Sequence, residues 1–203
     1  MKEQILKAVR AKKRAAVTPL PAYPERPRRT DEEVLARFLE HVEDYKARVE
    51  RTQDLALLPA LIQRFLQGQT RVVIPADLPV EWLPEGLTLI RDTPDLSLNT
   101  LKQQEVVITG CKLGISDTGT IVLDSAVRQG RRIISLIPDH HICIVFRDQV
   151  VQGVFEATTT LEPSVQAGLP LTWISGPSAT SDIELVRVEG VHGPRTLDVL
   201  VVG

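Results

Sequence analysis

The sequence has few aromatic residues, few cysteines and no long apolar run. Phe, Trp and Tyr make up only 4% of the 203 residues, so a core must be built from Val, Leu, Ile and Ala. No apolar run approaches the roughly 18–20 residues that a membrane-spanning helix needs. The charged stretch Met1–Arg14 also lacks the apolar segment of a secretory signal. We therefore expect a soluble, cytoplasmic, globular protein that does not bind membranes.

The chain has two cysteines, Cys111 and Cys143, which share no CxxC spacing. An iron–sulfur cluster usually takes four thiolates, and a structural zinc site takes four Cys or His ligands. We therefore expect no metal site and no cofactor in this chain. Cys143 stands in the apolar run Ile142–Phe146, where a buried thiol is expected. Cys111 follows Gly110 at the end of a predicted strand and is either buried or reactive.

The net charge of -2 is unevenly distributed along the chain. Residues 1–29 contain nine Lys and Arg against Glu3 and Glu25, which gives +7, so the remaining residues carry -9. A basic arm on an acidic body suits either nucleic acid or an acidic protein surface. We favour a solvated arm that docks on the acidic face of its own or a sister subunit, and regard nucleic acid as the weaker alternative.

The amino-terminal residues predict a helical arm followed by a helical start to the main domain. Apolar spacing predicts an amphipathic helix over 2–16, and four prolines between Pro19 and Pro27 indicate an extended linker. Thr30–Glu33 has the form of a capping box, and the apolar period behind it continues to about Arg51. A third helix is predicted over Leu55–Leu66. We divide the chain into an arm and linker, 1–29, and a domain, 30–203.

From Arg71 onward the sequence changes to short, β-branched, almost wholly apolar runs. Such runs are typical of strands covered on both faces. They predict an α/β fold, with a central mixed, mostly parallel sheet, helices on both faces and the amino-terminal helical arm. The predicted strands are 71–75, 87–90, 105–109, 120–123, 132–137, 142–146, 171–174 and 197–202.

Two polar segments follow or precede these predicted strands. In the first, Gly110 and Gly119 permit unusual backbone shapes, and Thr118 and Thr120 place hydroxyls where a carboxylate or phosphate could bind. The alternative is a tight turn between two strands. In the second, His141 lies near Asp139, and such a pair can transfer protons near neutral pH. The alternative there is a purely structural turn.

A third segment, 173–195, is the longest and the richest in polar groups. Its candidate ligand-binding residues are Ser175, Gly176, Ser178, Thr180 and Arg195, and its candidate catalytic residues are Asp182, Glu184 and His192. A second capping box at 181–184 would explain part of this pattern structurally. We predict that all three segments line one hydrophilic cavity at the carboxyl edge of the sheet, where α/β proteins bind ligands.

The three segments, taken in order, resemble the lactate-utilisation (LUD domain) family, specifically its cluster-free branch. The resemblance is carried by Thr109-Gly-Cys with 115–123, by 136–143, and by Ser-Gly-Pro-Ser, Asp-Ile-Glu and His-Gly-Pro-Arg within 174–196. It covers roughly residues 30–203. Many relatives carry Glu where this chain has Asp117, which shortens the reach of that carboxylate.

The resemblance implies a fold like those of CoA transferases, ribose-5-phosphate isomerase and methenyltetrahydrofolate synthetase. It also implies a cluster-free accessory subunit that oxidises L-lactate to pyruvate together with iron–sulfur partner subunits. In that role the polar pocket would bind a small carboxylate or phosphate. The alternative is a stand-alone CoA-transferase-like or isomerase-like enzyme for an acyl or phosphorylated substrate. Glu184 or Asp182 would then act as base or nucleophile, and His192 as proton carrier.

Overall fold

A computed structural model describes residues 2–11, 27–180, 188–189 and 193–203 of the chain. The described part contains five α-helices and twelve strands. The helices are α1 (Lys2–Ala11), α2 (Asp31–Asp44), α3 (Leu58–Leu66), α4 (Leu98–Leu101) and α5 (Val154–Gln166). The strands are β1 (Arg48–Thr52), β2 (Arg71–Ile74), β3 (Thr88–Arg91), β4 (Val106–Thr109), β5 (Leu113–Ile115), β6 (Thr120–Leu123), β7 (His140–Phe146), β8 (Val150–Val151), β9 (Thr172–Ile174), β10 (Ala179–Thr180), β11 (Val188–Glu189) and β12 (Thr196–Val202).

The main sheet has six strands in the order β1-β12-β7-β4-β2-β3, and every neighbouring pair is parallel. β7 and β12 are neighbouring interior strands of this sheet and are buried along nearly their whole length, and we call them the central strands. The predicted α/β class with a mostly parallel sheet is therefore confirmed.

The antiparallel pairing that the sequence predicted within a mixed sheet belongs to a second sheet. This sheet has the order β8-β5-β6-β9, in which β5 and β9 both run antiparallel to β6. β10 and β11 form a separate antiparallel pair. The two sheets pack against each other, because Ile121 and Leu123 of β6 share a core with Cys143 of β7 and Val199 of β12.

Different helices cover the two faces of the main sheet. α3 packs on the face that carries Ile108 and Ile142, whereas α2 packs with β6 on the face that carries Cys143. α5 lies against the second sheet through Ala157 and Leu161. Because successive side chains of a strand point to opposite faces, His140 and His141 at the start of β7 face different layers. None of the described helices combines the length and the apolar character needed to cross a bilayer.

The amino-terminal helix signals are confirmed except at two ends. The third predicted helix begins at Leu58, because Leu55–Leu57 form a separate 3-10 helix. Thr30 and Glu33 form the predicted capping box, in which the Glu33 carboxylate accepts from the Thr30 amide and the Thr30 hydroxyl accepts from the Glu33 amide. Pro59 lies in the first turn of α3. However, α2 ends at Asp44 and not near Arg51. Lys46 adopts a φ of 66°, which reverses the chain into β1.

Two further differences concern the strands. The predicted strand over 132–137 is wrong, since Arg132–Ser135 form a 3-10 helix that buries Ile134 against β2 and β4. The additional elements are strands β1, β5, β8, β10 and β11 and helices α4 and α5. The second capping box predicted at 181–184 lies outside the described residues. Residues 12–16, the end of the predicted first helix, also lie outside them.

Candidate functional site

A small cavity of about 190 Å³ lies where β7 and β12 begin, between the main sheet and the edge of the second sheet. We call it the His141 cavity. Its described lining residues are all uncharged: Ser135, Leu136, His141, Thr172, Trp173, Ile174, Ser175, Gly176, Pro177, Ser178, Gly193, Pro194 and Leu197. Two of the three predicted segments therefore meet here. The cavity lies at the amino ends of β7 and β12, so the predicted position at the carboxyl edge is wrong for this site.

His141 is the most deeply buried polar residue that lines the cavity, with 1% of its surface exposed. Its Nε2 lies 2.8 Å from the hydroxyl of Thr109, which ends the neighbouring strand β4. Its Nδ1 is buried and has no hydrogen-bond partner. Burial, followed by the nearby His140, lowers the pKa of His141 to about 3, against a weaker opposing effect of Asp198. The imidazole is therefore neutral near pH 7.

A row of hydroxyls connects the first predicted segment to the rim of the cavity. The Thr118 hydroxyl donates to Thr120 over 2.8 Å, and the hydroxyls of Thr120 and Ser175 lie 2.7 Å apart. Ser175 is exposed and lines the cavity. The structure thus brings the Thr118–Thr120 turn next to the third segment, as predicted, although neither threonine lines the cavity itself.

Gly119 and Gly176 are needed for close packing at this rim. Gly119 has a φ of 57°, and a Cβ there would lie 2.5 Å from the backbone carbon of His41 in α2. Gly176 has a φ of 90°, and a Cβ would lie 2.7 Å from the Cβ of Tyr45. Both positions favour glycine because side chains rarely adopt this backbone region. The two glycines therefore shape the site, and neither contact requires that they touch a ligand.

Other predicted site residues lie elsewhere. Gly110 is beside Arg128, to whose carbonyl its amide donates over 2.7 Å, and it does not line the cavity. Arg195 forms an ion pair with Asp139 on the surface, where both side chains are more than half exposed. The predicted pairing of Asp139 with an imidazole is therefore not observed. The catalytic candidates Asp182, Glu184 and His192 lie outside the described residues, and the structure describes Thr180 only through strand β10.

A buried ion-pair network on the opposite face of the sheet was not predicted. Asp198 in β12 is fully buried and accepts from Arg48 Nε over 2.6 Å and from Arg48 Nη2 over 2.5 Å. Its Oδ2 also lies 2.6 Å from His140 Nε2, and His140 Nδ1 lies 2.7 Å from Gln69 Oε1. Arg48 and Asp198 are 150 positions apart in sequence, so no local pattern could reveal the pair.

A larger cleft of about 900 Å³, which no sequence pattern indicated, lies at the carboxyl ends of β7 and β12. We call it the Asp117 cleft. Asp117 accepts from Arg29 Nη1 over 2.7 Å and lies 3.3 Å from Arg37 Nε. Gln152 also binds the segment that precedes α2. Its side chain accepts a hydrogen bond from the Arg29 amide and donates one to the Pro27 carbonyl. The shorter carboxylate at 117 therefore has a structural role in holding residues 27–29 against the second sheet.

Both cysteines are free and buried. A hydrogen bond with Cys143, together with burial, raises the pKa of the Cys111 thiol well above its ordinary value. The reactive alternative for Cys111 is thus disfavoured, because the thiolate is the nucleophilic form. Within the described residues, no group of three or more His, Cys, Asp or Glu side chains is arranged to hold a metal ion.

These features define an α/β protein of the open-sheet class, with a small neutral cavity at one end of the central strands and a wider cleft at the other. The chain belongs to the LUD domain family, whose model matches residues 35–202.

Named relatives cover most of the chain. It is 50% identical over 184 residues to Lactate utilization protein C from Deinococcus radiodurans, which covers 91% of this chain and 86% of that protein. It is 30% identical over 151 residues to Lactate utilization protein C from Bacillus subtilis, covering 66% and 62% of the two chains. The crystal structure of a DUF162 family protein from D. radiodurans superposes with a TM-score of 0.76 at 44% identity, covering 87% of this chain and all of that one.

Proposed function

We propose that this protein serves in L-lactate utilisation as a subunit without an iron–sulfur cluster of its own. In this role it acts with iron–sulfur partner subunits that oxidise L-lactate to pyruvate. The observation that carries the proposal is the 50% identity, over 91% of the chain, to a protein named Lactate utilization protein C. Relatives with that name in B. subtilis and the LUD domain match to residues 35–202 support the same role.

The cysteine chemistry supports this division of labour. Oxidation of lactate to pyruvate releases two electrons and two protons, which an acceptor must take up. A cluster that takes single electrons is normally held by four thiolates. This chain has only Cys111 and Cys143, both enclosed in the core between the two sheets. The electron acceptors would therefore be groups held by the partner subunits.

The His141 cavity supports a second part of the proposal, a small carboxylate or phosphate as ligand. The cavity is bordered by the hydroxyl-bearing residues Ser175 and Ser178 and contains one buried imidazole. Its volume corresponds to about six water molecules at roughly 30 Å³ each, which suits a small metabolite. A CoA ester or a nucleotide is too large for it, since pockets for drug-sized ligands begin at about 300 Å³.

Deletion of the gene tests the role directly. We expect the deletion strain to fail to grow on L-lactate as sole carbon source while growing normally on pyruvate. The complete chain supplied from a plasmid should restore growth on lactate. Normal growth of the deletion strain on lactate, with no second copy of the gene present, would contradict the proposal.

A further inference from the structure

Among the residues that the structure describes, Nδ1 of His141 is one of three buried side-chain polar atoms without a hydrogen-bond partner. Leaving such an atom unsatisfied costs about 1–3 kcal/mol. Native structures usually offset that cost with water or a ligand. Because His141 also lines a cavity, a bound molecule can reach this side chain from within the protein. The imidazole thus offers a polar group at the buried end of the cavity.

We propose that the His141 cavity binds short-chain 2-hydroxy acids, and that His141 recognises the oxygen on the second carbon. The carboxylate would lie at the rim near the exposed Ser175, and the alkyl group would lie against the apolar wall formed by Leu136 and Leu197. This assignment rests on the proposed function for the choice of lactate as the acid.

The polarity of the cavity supports this orientation. An ionised carboxylate is costly to bury without a partner, and no described residue that lines the cavity is charged. The charged end of a ligand therefore belongs at the open rim, where Ser175 and the half-buried Ser178 lie. An uncharged hydroxyl suits the neutral imidazole inside, because a hydroxyl can both donate and accept. It therefore satisfies Nδ1 whichever ring nitrogen of His141 carries the proton.

The size of the cavity sets the length of the acid. The cavity of about 190 Å³ has room for about six water molecules at roughly 30 Å³ each, which admits a three-carbon acid and excludes one with a long alkyl chain. Propionate is the matched comparison, because it differs from lactate only in lacking the 2-hydroxyl. A site that uses a buried polar group to bind a hydroxyl discriminates against the analogue that lacks it, since that group is then left unpaired.

Calorimetric titration of the purified complete chain tests the proposal with L-lactate and propionate as the probes. We expect lactate to bind about tenfold more tightly than propionate, the effect of one buried hydrogen bond. The variant His141→Leu should bind the two acids equally, within about twofold, at the wild-type affinity for propionate. His41→Leu removes an imidazole that contacts the Ser116 carbonyl outside the cavity, and it should keep the wild-type preference.

A second measurement on the unaltered protein covers the case in which His141→Leu does not fold. The ring-nitrogen NMR signals of His141 should shift on addition of lactate and stay in place on addition of propionate. Equal affinity for both acids, no binding of either, or a preference that survives in His141→Leu would overturn the assignment. If one of these binding results is obtained while the deletion strain still fails to grow on lactate, the assignment of the site is wrong and the proposed role stands. If that strain grows while lactate binds selectively, only the proposed role is wrong.

Discussion

At the residue scale, the structure assigns opposite roles to two adjacent histidines. His140 is held between Asp198 and Gln69 on one face of the main sheet, whereas His141 keeps one nitrogen unpaired on the other face. The sequence indicated His141 as a candidate but suggested Asp139 as its partner. Alternation of side chains along β7 explains the outcome, since neighbouring residues of a strand enter different layers.

Loss of the Asp198 carboxylate should destabilise the fold strongly. The substitution Asp198→Asn removes the buried negative charge and replaces one carboxylate oxygen with an NH2 donor, so Arg48 and His140 can no longer both be satisfied. Breaking a fully buried ion pair by removing one partner costs about 3–5 kcal/mol, and we expect about 2–3 kcal/mol here because the Arg48 side chain is 38% exposed and partly screened by solvent. Urea unfolding measures the change, and Asp139→Asn at the exposed Arg195 pair is the control, expected to cost less than about 1 kcal/mol. Equal effects of the two substitutions would contradict the buried network.

The unfolding free energy should depend on pH through His141. Its pKa is about 3 in the folded protein and near 6.5 when unfolded, so below pH 6.5 the unfolded state binds the extra proton. The contribution of His141 to the unfolding free energy is therefore complete above about pH 6.5. As the pH falls towards 3, this contribution decreases by up to about 1.4 kcal/mol per pH unit. His141→Leu should show a shallower decline over that range. Parallel curves for the variant and the wild type would show that His141 is not buried in neutral form.

The thiols should be protected from modification in the folded protein. Cys111 and Cys143 are buried, and the raised pKa of Cys111 keeps it in the unreactive thiol form at neutral pH. We expect a thiol-specific reagent to label neither cysteine rapidly in native buffer and both of them in denaturant. Rapid labelling of one thiol per folded chain would contradict this arrangement.

At the element scale, the local patterns predicted most helices and strands but not where α2 ends. Tyr45 and Val49 continue the apolar period of α2, so the sequence extends the helix past the actual turn at Lys46. Val49 instead belongs to β1, which is specified by pairing with β12 across some 150 residues. Likewise, the apolar run at 132–137 is buried by a 3-10 helix, because burial alone does not distinguish the two structures. Long-range register is absent from any short window of sequence, and for the same reason the Asp198 network and the Asp117 cleft could not be predicted.

The turn at Gly119 should tolerate no side chain. Gly119 lies between Thr118 and Thr120 and packs against α2. A Cβ at this position would lie 2.5–2.7 Å from the backbone of His41 and Val42. Gly119→Ala should therefore cost more than the roughly 1–3 kcal/mol of a strained backbone alone. Gly168→Ala is the matched control, with a φ of 71° and nothing within 4 Å, so it carries only the backbone cost. Thermal unfolding should show a clearly larger loss for Gly119→Ala, and equal losses would contradict the close packing.

At the scale of the whole molecule, the two sheets place distinct openings at the two ends of the central strands. The His141 cavity lies where β7 and β12 begin, and the Asp117 cleft lies where they end. The small cavity suits a metabolite of lactate size. Under the proposed function, electron transfer would fall to the partner subunits, because both cysteines of this chain are buried in its core. The chain would thus serve lactate oxidation without being the site at which electrons are accepted.

L-lactate-dependent reduction of an electron-accepting dye by extract from the deletion strain tests this claim most directly. We expect the purified chain alone to reduce no dye, the deletion extract alone to be inactive, and activity to return when the two are combined. Dye reduction by the isolated chain, or full activity of the extract without it, would contradict the account.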